Sequence, residues 1–245
     1  MRIALFPTCL VSHFRPRVAD CAEAVLRRLG HQVTRMGEGS CCGQPAHSAG
    51  SPAEAGQVGR LWLGNDLNDA DYVVIPSGSC TAMLRHHLQH YLAPQEQQRL
   101  DELRPRIYEF SEFLVDVLEV EDVGASRRGR GAYHASCHLL RDLGVRSAPL
   151  KLLQRVKGLE LTPLEKYDEC CGFGGVFSVL YPEVSEAMAA DKIRNLQASR
   201  ADMLILSDAG CLLQIEGALR KAHSKRPSVL HLAEVLAGRS EEAHG

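Results

Sequence analysis

Two cysteine arrays of the same shape follow each other in this chain and constrain its fold more than any other feature. Each array has one cysteine, then an adjacent cysteine pair followed by glycine, then a fourth cysteine. The arrays are Cys9, Cys41, Cys42 and Cys80, and Cys137, Cys170, Cys171 and Cys211. Corresponding cysteines lie 128 to 131 residues apart, so the two halves of the chain align with almost no gaps. Only Cys21 lies outside the pattern, and we expect it to pack in a core.

The repeat continues outside the cysteines. Residues 71–80 correspond to residues 202–211, and a pattern at 107–114 recurs at 229–236. A period near 125 residues is far longer than the roughly 20–50 residues of a solenoid repeat, so it indicates a duplicated domain. Each half is large enough for its own core. We therefore predict domains at 1–121 and 131–245, joined by a solvated, charged and glycine-rich linker at 122–130.

Composition excludes several classes of function. The chain has 245 residues, of which 45% are hydrophobic, and a net charge of −2, which indicates a soluble globular protein without a nucleic-acid partner. No apolar run approaches the roughly 18–20 residues of a membrane helix, and the apolar start is too short for a signal peptide. We therefore expect a cytoplasmic protein. Disulfides are rare there, and nine cysteines is an odd total, so metal binding or redox chemistry is the better interpretation.

Short apolar strands alternate with helical segments in both halves. The predicted strands are at residues 3–6, 32–36, 72–75, 132–135, 159–161 and 203–206, and predicted helices include 18–29, 53–67 and 110–118. This order predicts an α/β fold with two tandem, pseudo-symmetric domains, each with a small, mostly parallel sheet flanked by helices. The array cysteines follow predicted strands, and loops after parallel strands emerge along one edge. We expect the four thiols of each half to meet in one crevice.

Four thiolates can bind an iron–sulfur cluster or a tetrahedral zinc ion. Zinc sites usually contain CxxC pairs, and this chain has none. Two adjacent thiolates can bind a cluster several ångströms across more easily than they can bind a single ion. Gly43 and Gly172 would let the backbone turn tightly beside the cluster. We predict one iron–sulfur cluster per half, held by all eight array cysteines. A zinc-stabilised scaffold and a thiol–disulfide reductase that uses the adjacent pairs remain alternatives.

Histidines also lie near the arrays. They are His13, His47, His134 and His138. We interpret each as a loop residue or as a residue that supports the ligands, and not as a metal ligand. The glycine-rich segment 172–175 lacks the GxGxxG spacing and therefore gives no dinucleotide-binding signal.

The Cys-Cys-Gly segments at 41–43 and 170–172 resemble the cysteine-rich CCG domain family, which includes the B subunit of heterodisulfide reductase and the iron–sulfur subunit of glycolate oxidase. The resemblance covers essentially the whole chain and, at 171–178 and 208–212, is strongest to members of lactate utilization systems. It implies an iron–sulfur electron-transfer subunit of a cytoplasmic, membrane-peripheral complex that oxidises L-lactate to pyruvate. The expected partners are the B and C proteins of that system. Glycolate or another 2-hydroxy acid stays open as the substrate.

One position departs from the pattern of heterodisulfide reductase. There each array ends in CxxC and so contains five thiols, whereas this chain has Ser77 and Asp208 at the first of those positions. Four thiols per half make an ordinary [4Fe–4S] cluster in each domain the simpler expectation. The departure counts against disulfide reduction of that kind. We expect a redox subunit that does not act alone and has no catalytic residue of its own.

Overall fold

A computed structural model describes residues 1–37, 39–67, 69–224 and 227–238. Its strands are β1 (Arg2–Leu5), β2 (Gln32–Arg35), β3 (Tyr72–Ile75), β4 (Ile107–Glu109), β5 (Ser126–Tyr133), β6 (Lys157–Leu161), β7 (Met203–Leu206) and β8 (Ser228–His231). They form two four-stranded sheets with the orders β2-β1-β3-β4 and β6-β5-β7-β8, and every pairing is parallel. The predicted α/β class with a parallel sheet in each half is therefore confirmed.

Helices flank both sheets. The first half has α1 (Cys9–Phe14), α2 (Pro16–Arg28), α3 (Gln44–Ser48), α4 (Pro52–Leu63), α5 (Gly78–Ala82), α6 (Pro94–Leu103) and α7 (Phe110–Glu112). Helix α5 continues as a π-helical turn at Met83–His87 and a 3-10 turn at Leu88–Tyr91, a 3-10 turn at Arg104–Arg106 precedes β4, and a π-helical turn at Phe113–Val117 continues α7. The second half has a π-helical turn at His138–Asp142, then α8 (Ala148–Gln154), α9 (Phe177–Leu180), α10 (Pro182–Ala198), α11 (Ala209–Lys221) and α12 (Leu232–Ala237).

Local sequence explains where the longer helices begin and end. Helices α2, α4, α6 and α10 each begin at a proline, whose fixed φ suits the first helical position and whose missing N–H costs nothing there. Helix α2 ends just before Gly30, which adopts a φ of +87°. Its apolar residues recur every three or four positions and are buried on one face.

Both faces of each sheet are buried, as is usual for parallel sheets. In β1, Ile3 and Leu5 face one apolar cluster, whereas Ala4 faces another. In β7 the side chains of Met203 and Ile205 lie in the same cluster as Ile3, although they come from the other half of the chain. Each sheet therefore has an outer face with its own core and an inner face toward a core that both halves share.

The shared core is built where helices of one half pack against helices of the other. Helix α2 packs against α12, and α7 packs against α8. Val25 and Leu26 from the first half and Leu232 and Leu236 from the second are fully buried in it. The two halves are therefore joined by packing as well as by the chain.

The segment between the halves is more ordered than its composition indicates. Residues 126–130, which we assigned to a linker, form the first part of β5 and pair with β6. Their polar side chains reach solvent because this end of the strand lies at the rim of the sheet, whereas residues 131–133 are buried. The proposed domain limits, 1–121 and 131–245, otherwise remain predictions, and residues 239–245 lie outside the described residues. No helix in the described ranges is long and apolar enough to cross a bilayer.

Truncation of one side chain in the shared core tests the coupling of the halves. Leu236 in α12 is fully buried there, and a buried Leu→Ala substitution costs about 2–5 kcal/mol. The single tryptophan, Trp62, is buried in the other half. We expect Leu236→Ala to lower the denaturation midpoint measured by Trp62 fluorescence as much as the midpoint measured by circular dichroism. A fluorescence midpoint that stays at the wild-type value would mean that the halves unfold independently.

Candidate metal centre

Strand topology delivers every array cysteine to the carboxyl end of a sheet. Cys9 begins α1 after β1, the pair Cys41 and Cys42 follows β2, and Cys80 lies in α5 directly after β3. The second half repeats this order: Cys137 follows β5, the pair at 170–171 follows β6, and Cys211 lies in α11 after β7. Parallel strands all end at one edge, so residues 30 to 40 positions apart are brought together there.

Both arrays line the same cavity. Its volume is about 330 Å³, and its walls include Cys9, Cys42 and Cys80 from the first half and Cys137, Cys170, Cys171 and Cys211 from the second. The sequence predicts one crevice per half, and the structure joins the two because the loop after β3 contacts the loop after β7. The backbone N–H of Gly78 donates to the carbonyl of Ser207 at 3.2 Å across this contact.

The four thiols of the first array form a chain of contacts. Cys41 lies in the middle, and hydrogen bonds with Cys42 and Cys9 lower its pKa to about 3. The N–H of Gly43 also donates a hydrogen bond to Sγ of Cys41 at 3.4 Å. The same hydrogen bonds, with burial, raise the pKa of Cys9 and of Cys42, and Cys42 in turn hydrogen-bonds with Cys80.

The second array repeats this chain. Hydrogen bonds with Cys137 and Cys171 lower the pKa of Cys170 to about 2, and the N–H of Gly172 donates to its Sγ at 3.4 Å. The pKa of Cys137 and that of Cys171 are raised, chiefly by their hydrogen bonds with Cys170. A hydrogen bond with Cys171 is the largest cause that lowers the pKa of Cys211, to about 6. Each half therefore holds four sulfurs in one chain of hydrogen bonds, and the first cysteine of the adjacent pair is the most readily ionised.

This donor set fits a soft metal or an iron–sulfur cluster. Thiolates are the ligands that such centres prefer, and they must be deprotonated to bind. Four neighbouring thiols cannot all be ionised without a cation among them, because the thiolates would repel one another. The lowered pKa of one thiol and the raised pKa of its neighbours therefore describe the metal-free protein. Backbone N–H donors at Gly43 and Gly172 are the kind of group that bonds to cluster sulfur and adjusts the reduction potential.

The glycine of each Cys-Cys-Gly segment is required by the turn beside the thiols. Gly43 has a φ of +94° and Gly172 a φ of +87°, which other residues rarely adopt. A Cβ on Gly172 would also lie 2.7 Å from the carbonyl oxygen of Ser185 in α10. The turn at Gly172 therefore brings the backbone close to α10, next to Cys171 on the cavity wall.

Asp208 holds the two halves together at the cavity. Its carboxylate accepts hydrogen bonds from the N–H of Ser79 at 2.8 Å and from the hydroxyl of Ser77 at 3.1 Å, both in the first half. It also accepts from the N–H of Gly210 at 3.0 Å and so caps α11. Asp208 therefore joins the two halves beside the thiols. Sequence reasoning missed this contact, since Ser77 and Asp208 are 131 residues apart.

Of the histidines near the arrays, His134 lies among the thiols. It is fully buried, and one of its ring nitrogens can meet the sulfurs of Cys171 and Cys211 with all three atoms within 4.8 Å of one another. We interpreted it from sequence as a supporting residue. The sequence repeat distinguishes this residue, because the two halves differ here. The matching position in the first half, three residues before the first cysteine, is Phe6.

The other three histidines contact neighbours that are not thiols. His47 stacks on His87 with ring centres 4.5 Å apart, and its Nδ1 lies 2.7 Å from the hydroxyl of Tyr91. His138 lines the cavity, and its Nδ1 lies 2.5 Å from the carboxylate of Asp142. His13 lies against Gly39.

A buried lysine lies behind the second array. Lys192 is 2% exposed and donates from Nζ to the carbonyl oxygen of Lys166. Burial lowers its pKa, while nearby acidic groups, first among them Glu169, act in the opposite direction. The matching position in the first half, also ten residues after the proline that begins the helix, is Trp62. The two arrays therefore have different surroundings.

The CCG cysteine-rich domain matches this chain twice, at residues 3–85 and 131–216. The chain belongs to the CCG cysteine-rich domain family. Lactate utilization protein A of Geobacillus kaustophilus is 46% identical over 98% of this chain and 100% of its own length. Lactate utilization protein A of Bacillus licheniformis is 41% identical over the same shares of both chains. The resemblance that the Cys-Cys-Gly segments predict is thus confirmed.

A solved structure shares the fold of this family member. A hypothetical protein from Helicobacter pylori superposes with a TM-score of 0.61, and the match covers 96% of this chain and 48% of that one. The two sequences are 13% identical, so the likeness concerns the fold alone.

The lowered pKa of one thiol in each array predicts which thiols are alkylated first in metal-free protein. The thiolate is the nucleophile, and ordinary thiols with a pKa near 8.5 are protonated at about pH 6. Cys41 and Cys170 have lowered pKa values of about 3 and about 2, so they stay ionised at that pH. We expect iodoacetamide to modify them first, as measured by peptide mass spectrometry.

Cys21 provides the control for this experiment. It is partly exposed like Cys41 and Cys170, but burial raises its pKa. Its modification should be slow at about pH 6 and should accelerate as the pH rises. If Cys21 reacts as fast as Cys41 at about pH 6, the proposed ionisation of the array is wrong.

Proposed function

We propose that this protein is an iron–sulfur electron-transfer subunit of a complex that oxidises L-lactate to pyruvate and supports growth on lactate. The observation that carries the proposal is the duplicated chain of four contacting thiols, of whose eight cysteines seven line one cavity. The name of its relatives, lactate utilization protein A, supports lactate as the substrate of the complex.

The array cysteines would hold one [4Fe–4S] cluster in each half. The ligands of the first cluster are Cys9, Cys41, Cys42 and Cys80, and those of the second are Cys137, Cys170, Cys171 and Cys211. A bound cluster supplies one-electron oxidation and reduction at a potential that its surroundings determine. The residues of this chain supply the thiolates, the N–H donors of Gly43 and Gly172, and a buried setting that limits contact with water.

The cavity itself gives little to bind a carboxylate substrate. Apart from the cysteines, its described walls include the apolar residues Leu10, Pro45, Phe173, Val176 and Val179 and the polar residues Gln44, Ser48, Ser79, Ser136, His138 and Asp208. They contain neither lysine nor arginine. A lactate carboxylate needs a cationic or multiply donating partner when it leaves water. Oxidation of lactate therefore takes place on a partner, and the B and C proteins of the lactate utilization system are the expected partners. The protein acts in the cytoplasm or at the membrane surface.

A zinc-stabilised scaffold is the second candidate. The grouping of His134, Cys171 and Cys211 favours it, because two cysteines and one histidine are a known zinc ligand set. Zinc has no redox chemistry and no colour, so metal analysis and visible spectroscopy of anaerobically purified protein separate the two candidates.

Replacement of one thiol ligand should remove one of the two clusters. Anaerobically purified wild-type protein should be brown and contain about eight irons, four for each cluster. Cys171→Ser replaces a buried member of the second array, so iron content and visible absorption should both fall by about half. Cys21→Ser is the matched control, because Cys21 lies outside both arrays, and it should keep the wild-type values. A Cys171→Ser protein with full iron content would contradict cluster binding by the second array.

Growth on lactate tests the assignment in the cell. A strain without this protein should fail to grow on L-lactate and should grow normally on glucose. Wild-type protein and Cys21→Ser should restore growth, whereas Cys42→Ser should not, because it removes a ligand of the first cluster. Affinity purification of the wild-type protein should recover the B and C proteins. Normal growth of the deletion strain on L-lactate would contradict a role in lactate oxidation.

A further inference from the structure

His134 presents one unpaired ring nitrogen in the protein interior. The side chain is 0% exposed, and its Nδ1 lies 3.0 Å from the backbone carbonyl oxygen of Tyr167. A carbonyl oxygen can only accept a hydrogen bond, so Nδ1 carries the proton. The neutral ring then has a lone pair on Nε2, and Nε2 is fully buried without a partner of regular hydrogen-bond geometry. The thiol of Cys211 is near enough for His134 to lower its pKa.

An unpaired nitrogen of this kind is costly to bury. A buried polar atom that loses its partner costs about 1–3 kcal/mol, so such atoms usually have a partner or mark a functional site. Histidines that bind metals typically donate the proton of the other ring nitrogen to a backbone carbonyl or a carboxylate, which orients the ring. The contact between His134 and Tyr167 has this form.

The unpaired nitrogen has two suitable neighbours. The ligand atoms of His134, Cys171 and Cys211 all lie within 4.8 Å of one another, and all three residues are buried. Imidazole nitrogen and thiolate sulfur together are a common donor set for zinc and also occur in some iron–sulfur centres. The three groups can therefore bind one metal centre.

The matching position in the first half carries no imidazole. At the position that matches His134 the first half has Phe6, whose ring packs edge-on against Trp62 with centroids 6.2 Å apart. At the position that matches Trp62 the second half has the buried Lys192. The duplicated fold thus keeps the four thiols in both halves but replaces an apolar pair with an imidazole and an ammonium in the second half.

We propose that His134 is a nitrogen ligand of the second metal centre, through Nε2 and together with Cys171 and Cys211. A [4Fe–4S] cluster takes one protein ligand on each of its four irons, so His134 takes the site of one array thiol and leaves one site for Cys137 or Cys170. The first centre is then bound by sulfur alone, and the second by nitrogen and sulfur. The proposal rests on the proposed function for the identity of the metal as an iron–sulfur cluster. It makes the two centres chemically different although their cysteine arrays are duplicates.

Pulsed electron paramagnetic resonance on the full-length protein tests the nitrogen ligand. The Cys42→Ser variant leaves the complete thiol set in the second half only, and reduction with dithionite makes a bound cluster paramagnetic. We expect a nitrogen coupling of the size found for directly bound imidazole. The coupling should change when the protein is made with ¹⁵N-labelled histidine.

Two substitutions assign the coupling to one residue. His134→Cys, made in the Cys42→Ser protein, replaces the nitrogen donor with sulfur, so the iron should stay and the nitrogen coupling should disappear. His138→Asn is the matched control, since His138 also lies on the cavity and beside Cys137, and it should leave the coupling unchanged. The labelled Cys42→Ser protein is decisive by itself if the His134→Cys variant fails to fold.

Each outcome decides the proposal. Iron in the second half without a nitrogen coupling would overturn the assignment of His134 as a ligand and leave the proposed function intact. A coupling that disappears only in His138→Asn would have the same two consequences. Zinc without iron would overturn the proposed function. X-ray absorption at the zinc edge would then report the ligands of the zinc ion. Loss of a nitrogen ligand in His134→Cys would support the proposal, and an unchanged nitrogen content would overturn it. A protein that binds no metal in either half would overturn both.

Discussion

The parallel pairing of the strands is the constraint on which the site depends. When neighbouring strands run in the same direction, each of them ends at the same edge of the sheet, and the chain must cross over through a helix before the next strand begins. In the order β2-β1-β3, the central strand is flanked by the two strands whose following loops carry the remaining cysteines. Thiols that are 30 to 40 residues apart in sequence come into contact because the hydrogen bonds of the sheet align the strand ends.

Packing between the halves brings the two cysteine arrays together into one site. Each sheet turns its inner face to a shared core, and the loops after β3 and β7 meet at the edge where the cysteines lie. A Cβ at Gly78 would lie 2.7 Å from that of Leu139, so only glycine permits this close approach. The carboxylate of Asp208 is buried at the same contact, and its three hydrogen bonds offset the loss of water.

Electrostatics explains why such a site is suited to a metal. Hydrogen bonding within each array ionises the first cysteine of the adjacent pair and keeps the thiols on either side of it protonated, so the metal-free protein cannot ionise all four sulfurs. A cation at the centre of the group removes that restriction, and its binding then releases protons and stabilises the fold. The surroundings also differ between the halves, since Phe6 and Trp62 lie beside the first array and His134 and Lys192 beside the second.

The sequence alone determined the duplication, the fold class and the eight cysteines, because spacing and strand patterns are local properties of the chain. Strands β3 and β7 begin and end where their apolar runs do, whereas the start of β5 was missed because charged residues and glycines at the rim of a sheet resemble a linker. Only the tertiary structure decided that both arrays share one cavity, that Asp208 joins the halves and that His134 lies among the thiols. Those facts arise from packing between residues far apart in sequence. Only His134 left a signal in the sequence, because the matching residue of the first half is Phe6.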